Sequence, residues 1–135
     1  FGIHDTAVMD HFHLLTEKSV MAHGTQLTSD DLTTLRQRGT TIAHCPISNV
    51  YFGNGVLAVK KLLAYGNSVG LGSDISGGYS PSLYHNIRQA IKSSQMLTDG
   101  VDSSLATATR GVKDSRITWQ MHFTWRLLAG LKLFN

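Results

Sequence analysis

Three short apolar runs constrain this chain more than anything else in it. Each ends in a polar, chemically capable side chain and gives way to a helical pattern. Residues 19–22 lead into His23-Gly24, residues 40–43 into His44-Cys45-Pro46, and residues 68–71 into Gly72-Ser73-Asp74. Short β-branched and apolar runs bounded by glycine or proline read as buried strands.

The segments between them read as helices. Thr28 is placed as an N-cap with Asp31 three residues on, a capping-box-like pattern; Leu32 and Leu35 give the helix an apolar side, and Gly39 stops it. A loop through Ser48, Asn49 and Gly53-Asn54-Gly55 leads to a second helix over residues 56–65, closed by Gly66-Asn67. A third helix takes Ser80 as N-cap and Pro81 as its first residue. Leu83, Ile87, Ala90, Ile91 and Ser94 then keep one of its faces mostly apolar.

Strictly alternating strands and helices with short connections call for an α/β fold of parallel strands covered by helices. In such a sheet the C-terminal tips share one edge. His23, His44 and Asp74 therefore face a common region although they are far apart in sequence. An open doubly wound sheet and a (β/α)8 barrel both fit this order. A closed barrel needs about 200 residues or more, so a chain of 135 residues supplies only part of one.

Composition narrows the function classes. Apolar and charged fractions of 41% and 16% are ordinary for a globular domain. The net charge of +3 is scattered, with no basic stripe interleaved with aromatics, so a solvated surface is expected and nucleic acid is not. No apolar run approaches a membrane span, and no secretory signal pattern is visible. The first residue is Phe1, so residues are expected to precede it. Cys45 is the only cysteine, which forbids an intramolecular disulfide and favours a reducing, cytosolic setting. It also excludes zinc deaminases built on a P-C-x-x-C ligand pair.

Asp74 sits among glycines that allow close approach of backbone and ligand. An aspartate and histidines at strand ends suit a divalent metal, most often zinc, that activates water. The carboxylate then accepts the water's proton and a histidine orients it. The alternative is that the three tips are only caps and turn formers.

The segments VMAHG (20–24), AHCPISN (43–49) and GLGSDISGGYSPS (70–82) resemble the guanine deaminases of the metal-dependent amidohydrolase superfamily. The similarity runs from about His13 to Leu97, and residues 74–80 are the part most particular to those enzymes. The resemblance implies that the strands are the sixth, seventh and eighth of a partial (β/α)8 TIM barrel. Residues 1–100 would form that barrel part, and residues 101–135 a divergent loop and helical tail, with helical spacing over 119–131. It implies Asp74 as metal ligand and proton acceptor, and His23 as the histidine that hydrogen-bonds the activated water. Beside these, His44 reads as a structural group that fixes its loop by hydrogen bonds, Ser48 and Asn49 as organisers of the loop after the seventh strand, and Tyr79 as lining the substrate mouth.

The implied reaction is zinc-dependent hydrolysis of guanine to xanthine and ammonia, by a cytosolic homodimer. Deaminases or chlorohydrolases of the superfamily acting on other aminopurines, pterins or triazines share the same logic, and a non-catalytic truncated remnant is a further alternative. The superfamily's first-strand H-x-H and its H-x-x-E have no match. His11-Phe12-His13 lacks a preceding strand and reads as surface connection, and Ala7 follows His4 where a glutamate would stand. The stretch 124–131 also departs from the family's ATxGGAxxLG pattern. On these grounds the chain alone is expected to bind zinc poorly and to lack activity.

Overall fold

Three parallel strands carry the structure, a computed structural model that describes residues 2–121. In chain order the elements are α1 (Asp5–His11), β1 (Val20–Ala22), α2 (Ser29–Arg38), β2 (Thr41–His44), α3 (Pro46–Tyr51), α4 (Val59–Ala64), β3 (Ser68–Leu71) and α5 (Leu83–Asp99). The sheet order is β1-β2-β3, parallel throughout, with Val20 opposite Thr41 and Thr41 opposite Ser68. Each strand-to-strand step crosses over through helix, as parallel pairing requires. Among the described residues β1 and β3 are edge strands, so the sheet is open.

Alternation along the strands sorts side chains to two faces. Ile42 and Val69 enter an apolar cluster with Leu32 and Leu35 of α2, Leu62 of α4 and Ala90 of α5. On the other face Thr41 donates its hydroxyl to Ser68 Oγ at 3.2 Å. β2 is nearly all buried, whereas Val20 on the β1 edge is half exposed.

α2 forms as its sequence predicts. Thr28 Oγ1 accepts the Asp31 N–H, and Asp31 Oδ2 accepts the Thr28 N–H at 2.8 Å and its hydroxyl at 2.6 Å. Gly39, at φ 71°, takes the left-handed turn that ends the helix. Arg38 clasps Asp10 through Nε and Nη2 at 2.6 and 3.0 Å, and this pair ties α1 to α2.

Four local expectations need correction. The loop expected through Ser48 and Asn49 is the short helix α3, because Pro46 occupies its first turn, where a missing N–H costs nothing. α4 is shorter than residues 56–65 because residues 56–58 are non-helical, with the Val59 N–H turned back onto Leu57 O at 3.0 Å. α5 starts at Leu83 with Ser82 as N-cap, and Pro81 lies outside it. Ser80 instead engages His85 Nδ1 through its hydroxyl at 2.8 Å and accepts the Ser82 N–H. Finally, β2 sits one residue later than 40–43 and so includes His44.

Residues 101–118 are turns and loop, held back onto the sheet domain. The Val112 N–H donates to Leu97 O at 2.7 Å, Lys60 pairs with Asp114, and Ile117 is buried in the core with its N–H on Ser94 Oγ. A helical turn begins at Trp119; the rest of the helix expected over 119–131 lies outside the described residues.

The cap carries two predictions. Thr28→Ala lowers stability by about 1 kcal/mol in chemical denaturation. Burial would raise the Asp31 carboxyl, but bonds from the Thr28 hydroxyl and N–H, with Thr6 and His4, outweigh it and hold the group below its ordinary value. Its contribution is therefore present above the unfolded-state value of about 4 and disappears as pH falls below it. The stability gap between wild type and Asp31→Asn closes on acidification through that range.

Candidate active site

His23 and Asp74 converge at the C-terminal edge of the sheet. The His23 N–H extends the β1–β2 ladder by donating to Ala43 O at 2.9 Å, and the Gly72 N–H extends the β2–β3 ladder by donating to His44 O at 2.8 Å. Past those points both residues turn to left-handed backbone, His23 at φ 69° and Asp74 at φ 49°. This conformation is uncommon for residues other than glycine, and Asp and His are among those that tolerate it. These turns, directly after β1 and three residues past β3, bring His23 Nε2 to 3.8 Å from Asp74 Oδ2. Both side chains are about a third exposed.

Behind His23, its Nδ1 lies 2.8 Å from Oδ1 of Asn49, a residue with 1% exposure. Pro46 begins α3 just past the β2 tip, and a single turn then carries Asn49 back toward the β1 tip. The Asn49 backbone is held at both ends, its N–H on Cys45 O at 2.9 Å and its carbonyl accepting the Asn54 N–H at 2.8 Å. His44 is fully buried at the end of β2, and its carbonyl serves the ladder to Gly72.

The Asp74 loop folds tightly on itself. Gly78 N–H donates to Asp74 O, and a β-carbon on Gly78 would collide with the Ser73 carbonyl oxygen. A β-carbon on Gly77 would stand 2.7 Å from Asp74 Oδ2. Ser80 and His85 pin the far end of the loop to α5, a contact that sequence reasoning missed. The hint was Ser80 placed five residues before a histidine at a helix start. Tyr79 projects outward and packs edge-on against Tyr51 at 6.5 Å between ring centroids.

Cys45 lies buried against Gly72. Burial first, and the Asp74 charge second, push its thiol up, outweighing the opposing effect of the His23 backbone. It therefore stays a neutral thiol at pH 7. His11 and His13 are exposed at and beyond the end of α1, as expected for a surface connection. His4 Nδ1 sits 3.3 Å from Asp31 Oδ2, on the α1–α2 side. Among the described residues no group of three or more His, Cys, Asp or Glu side chains is arranged to hold a metal ion.

A sequence model of the amidohydrolase family matches residues 1–110. Human guanine deaminase is 45% identical over 92 residues, covering 68% of this chain and 20% of the human enzyme. Guanine deaminase of Dictyostelium discoideum is 46% identical over 89 residues, covering 66% of this chain and 20% of that protein. The crystal structure of guanine deaminase from C. acetobutylicum with bound guanine superposes with a TM-score of 0.65 at 37% identity, covering 67% of this chain and 22% of that one. This chain thus spans about a fifth of the length of the curated relatives it matches.

The loop geometry predicts the effect of filling it. Gly78→Ala forces the backbone apart at Ser73 and lowers stability by about 1–3 kcal/mol. Thermal unfolding of the purified variant measures this.

Proposed function

This chain belongs to the amidohydrolase family, and on that premise we propose that it supplies strands six to eight of a (β/α)8 barrel in an enzyme that hydrolyses guanine to xanthine and ammonia. The observation that carries the reading is the approach of His23 Nε2 to Asp74 Oδ2, 3.8 Å apart, from strand tips that only the fold brings together. The similarity to guanine deaminases over the same residues supports the choice of substrate.

Hydrolytic deamination adds water to the carbon that bears the amino group and releases that group as ammonia. The attacking water must lose a proton and the departing nitrogen must gain one. Asp74 is the proton acceptor: its carboxylate is partly exposed at the sheet edge and flanked by glycines that let substrate come close. His23 contributes a hydrogen bond that orients the same water. Tyr79, exposed on the adjoining loop, forms part of the substrate mouth. His44 holds the β2–β3 ladder behind Asp74.

The family resemblance implies zinc as the group that acidifies the water. Zinc takes about four ligands. Among the described residues Asp74 is the one side chain assigned to the metal, and no group of three or more His, Cys, Asp or Glu is arranged to hold an ion, so this chain does not by itself complete a zinc centre. The same resemblance supports a homodimer of the cytosol acting in purine catabolism. No helix among the described residues is long and apolar enough to cross a membrane.

A chimera tests the proposal. Residues 13–97 replace the matching segment of the Dictyostelium relative, which retains its own remaining barrel, and ammonia release from guanine is measured. Activity is expected, and Asp74→Asn in the chimera lowers kcat by about 100-fold or more. A folded chimera that acts on a different aminopurine and not on guanine overturns the substrate assignment. The purified 135-residue chain alone is expected to release no ammonia and to retain little zinc after dialysis.

A further inference from the structure

We infer that Asn49 is a positioning residue that fixes the His23 ring in its Nδ1–H tautomer and so leaves the Nε2 lone pair as an acceptor beside Asp74. The inference deepens the proposed function, on which the role of Nε2 rests. The tautomer itself rests only on the geometry of the chain.

Asn49 Oδ1 lies 2.8 Å from His23 Nδ1. An amide oxygen only accepts, so the hydrogen on this bond belongs to the ring nitrogen. Which nitrogen of a neutral imidazole carries the proton is set by the bond the other makes. Here the Nδ1 bond assigns the proton away from the sheet edge. The Asn49 side chain is held in a buried position behind the ring. It is 1% exposed, and its backbone is pinned through both N–H and carbonyl. Its Nδ2 is buried with no hydrogen-bond partner among the described residues.

The consequence falls at the other end of the ring. His23 Nε2 and Asp74 Oδ2 are then two acceptors 3.8 Å apart, a separation beyond direct hydrogen bonding. Two acceptors at such a distance gain nothing from each other and are both satisfied by one water set between them, which donates a hydrogen to each. With the opposite tautomer Nε2–H would face the carboxylate, and one of the two seats for the water's hydrogens would be lost. Asn49 thus acts on the water through His23 without touching it.

Nitrogen NMR of the 135-residue chain tests this. Two-bond ¹H–¹⁵N correlation of the His23 ring is recorded at alkaline pH, where the two nitrogen shifts distinguish each neutral tautomer from the imidazolium. Wild type is expected to show a protonated Nδ1 and an unprotonated Nε2. Asn49→Leu moves the ring toward the Nε2–H form that free imidazole side chains favour in water, and Asn49→Asp, which keeps an acceptor oxygen, restores the wild-type pattern. Amide dispersion in the same samples reports whether each variant is folded. A wild-type spectrum with Nε2–H overturns the inference even if no variant folds, and so does a folded Asn49→Leu with an unchanged ring. Either result leaves the guanine chimera unaffected, and an inactive chimera leaves the tautomer measurement unaffected, so the two failures are distinct.

Discussion

The central strand β2 is the element on which the rest of the arrangement depends. It pairs in parallel on both sides, and its last two carbonyls, those of Ala43 and His44, accept the N–H groups of His23 and Gly72. These two hydrogen bonds lie one step beyond the neighbouring strands and set where each of those strands can turn away. A buried backbone carbonyl left without a donor costs on the order of 1–3 kcal/mol, so the ladder holds its register. A slip of one residue would turn Ile42 and Val69 out of the core and carry Thr41 and Ser68 into it. The same register puts two side chains from separate βα units within 4 Å at a single edge.

Helices serve this edge in two ways. α2, α4 and α5 cover one face with apolar side chains and keep the short strands from opening. α3 has a different task. Its six residues bury Pro46 and Ile47, and they place Asn49 behind the His23 ring. The glycine loop after β3 completes the site by curling under its own backbone, a path that requires the absence of side chains at Gly77 and Gly78. Rigid backing on one side and close backbone on the other leave Asp74 and His23 the exposed polar groups between them.

Much of this was legible from residue order. The strand at 68–71, the capping box at Thr28 and Asp31, and the Gly39 stop follow from local chemistry acting within a few residues, and the structure has them as read. His23 and Asp74 stood out because each ends an apolar run. The errors also share a cause. α3 and the start of α5 depend on choices between equivalent local signals: Pro46 and Pro81 both mark a helix start, and only Pro46 becomes one. Ser80 had two partners open to it, the backbone ahead of it and the His85 ring, and the packing of α5 selected the ring. The docking of Ile117 into the core, from a segment that reads as polar loop, had no sequence signal beyond one isoleucine among polar residues.

The sequence by itself determined that there are three strands, that they run parallel, and that polar side chains stand at their ends. Strand runs, caps and crossover lengths are local properties, and parallel pairing follows from them by chain connectivity. Only the tertiary structure decided which of those polar ends meet. His44 also stands at a strand end, yet it lies inside β2 and is buried as part of the ladder, while His23 and Asp74, past the ends of β1 and β3, reach each other across it. The difference arises from left-handed turns at φ 69° and 49° and from a helix that returns Asn49 to the histidine. Such choices are set by backbone hydrogen bonds and close packing between segments distant in sequence.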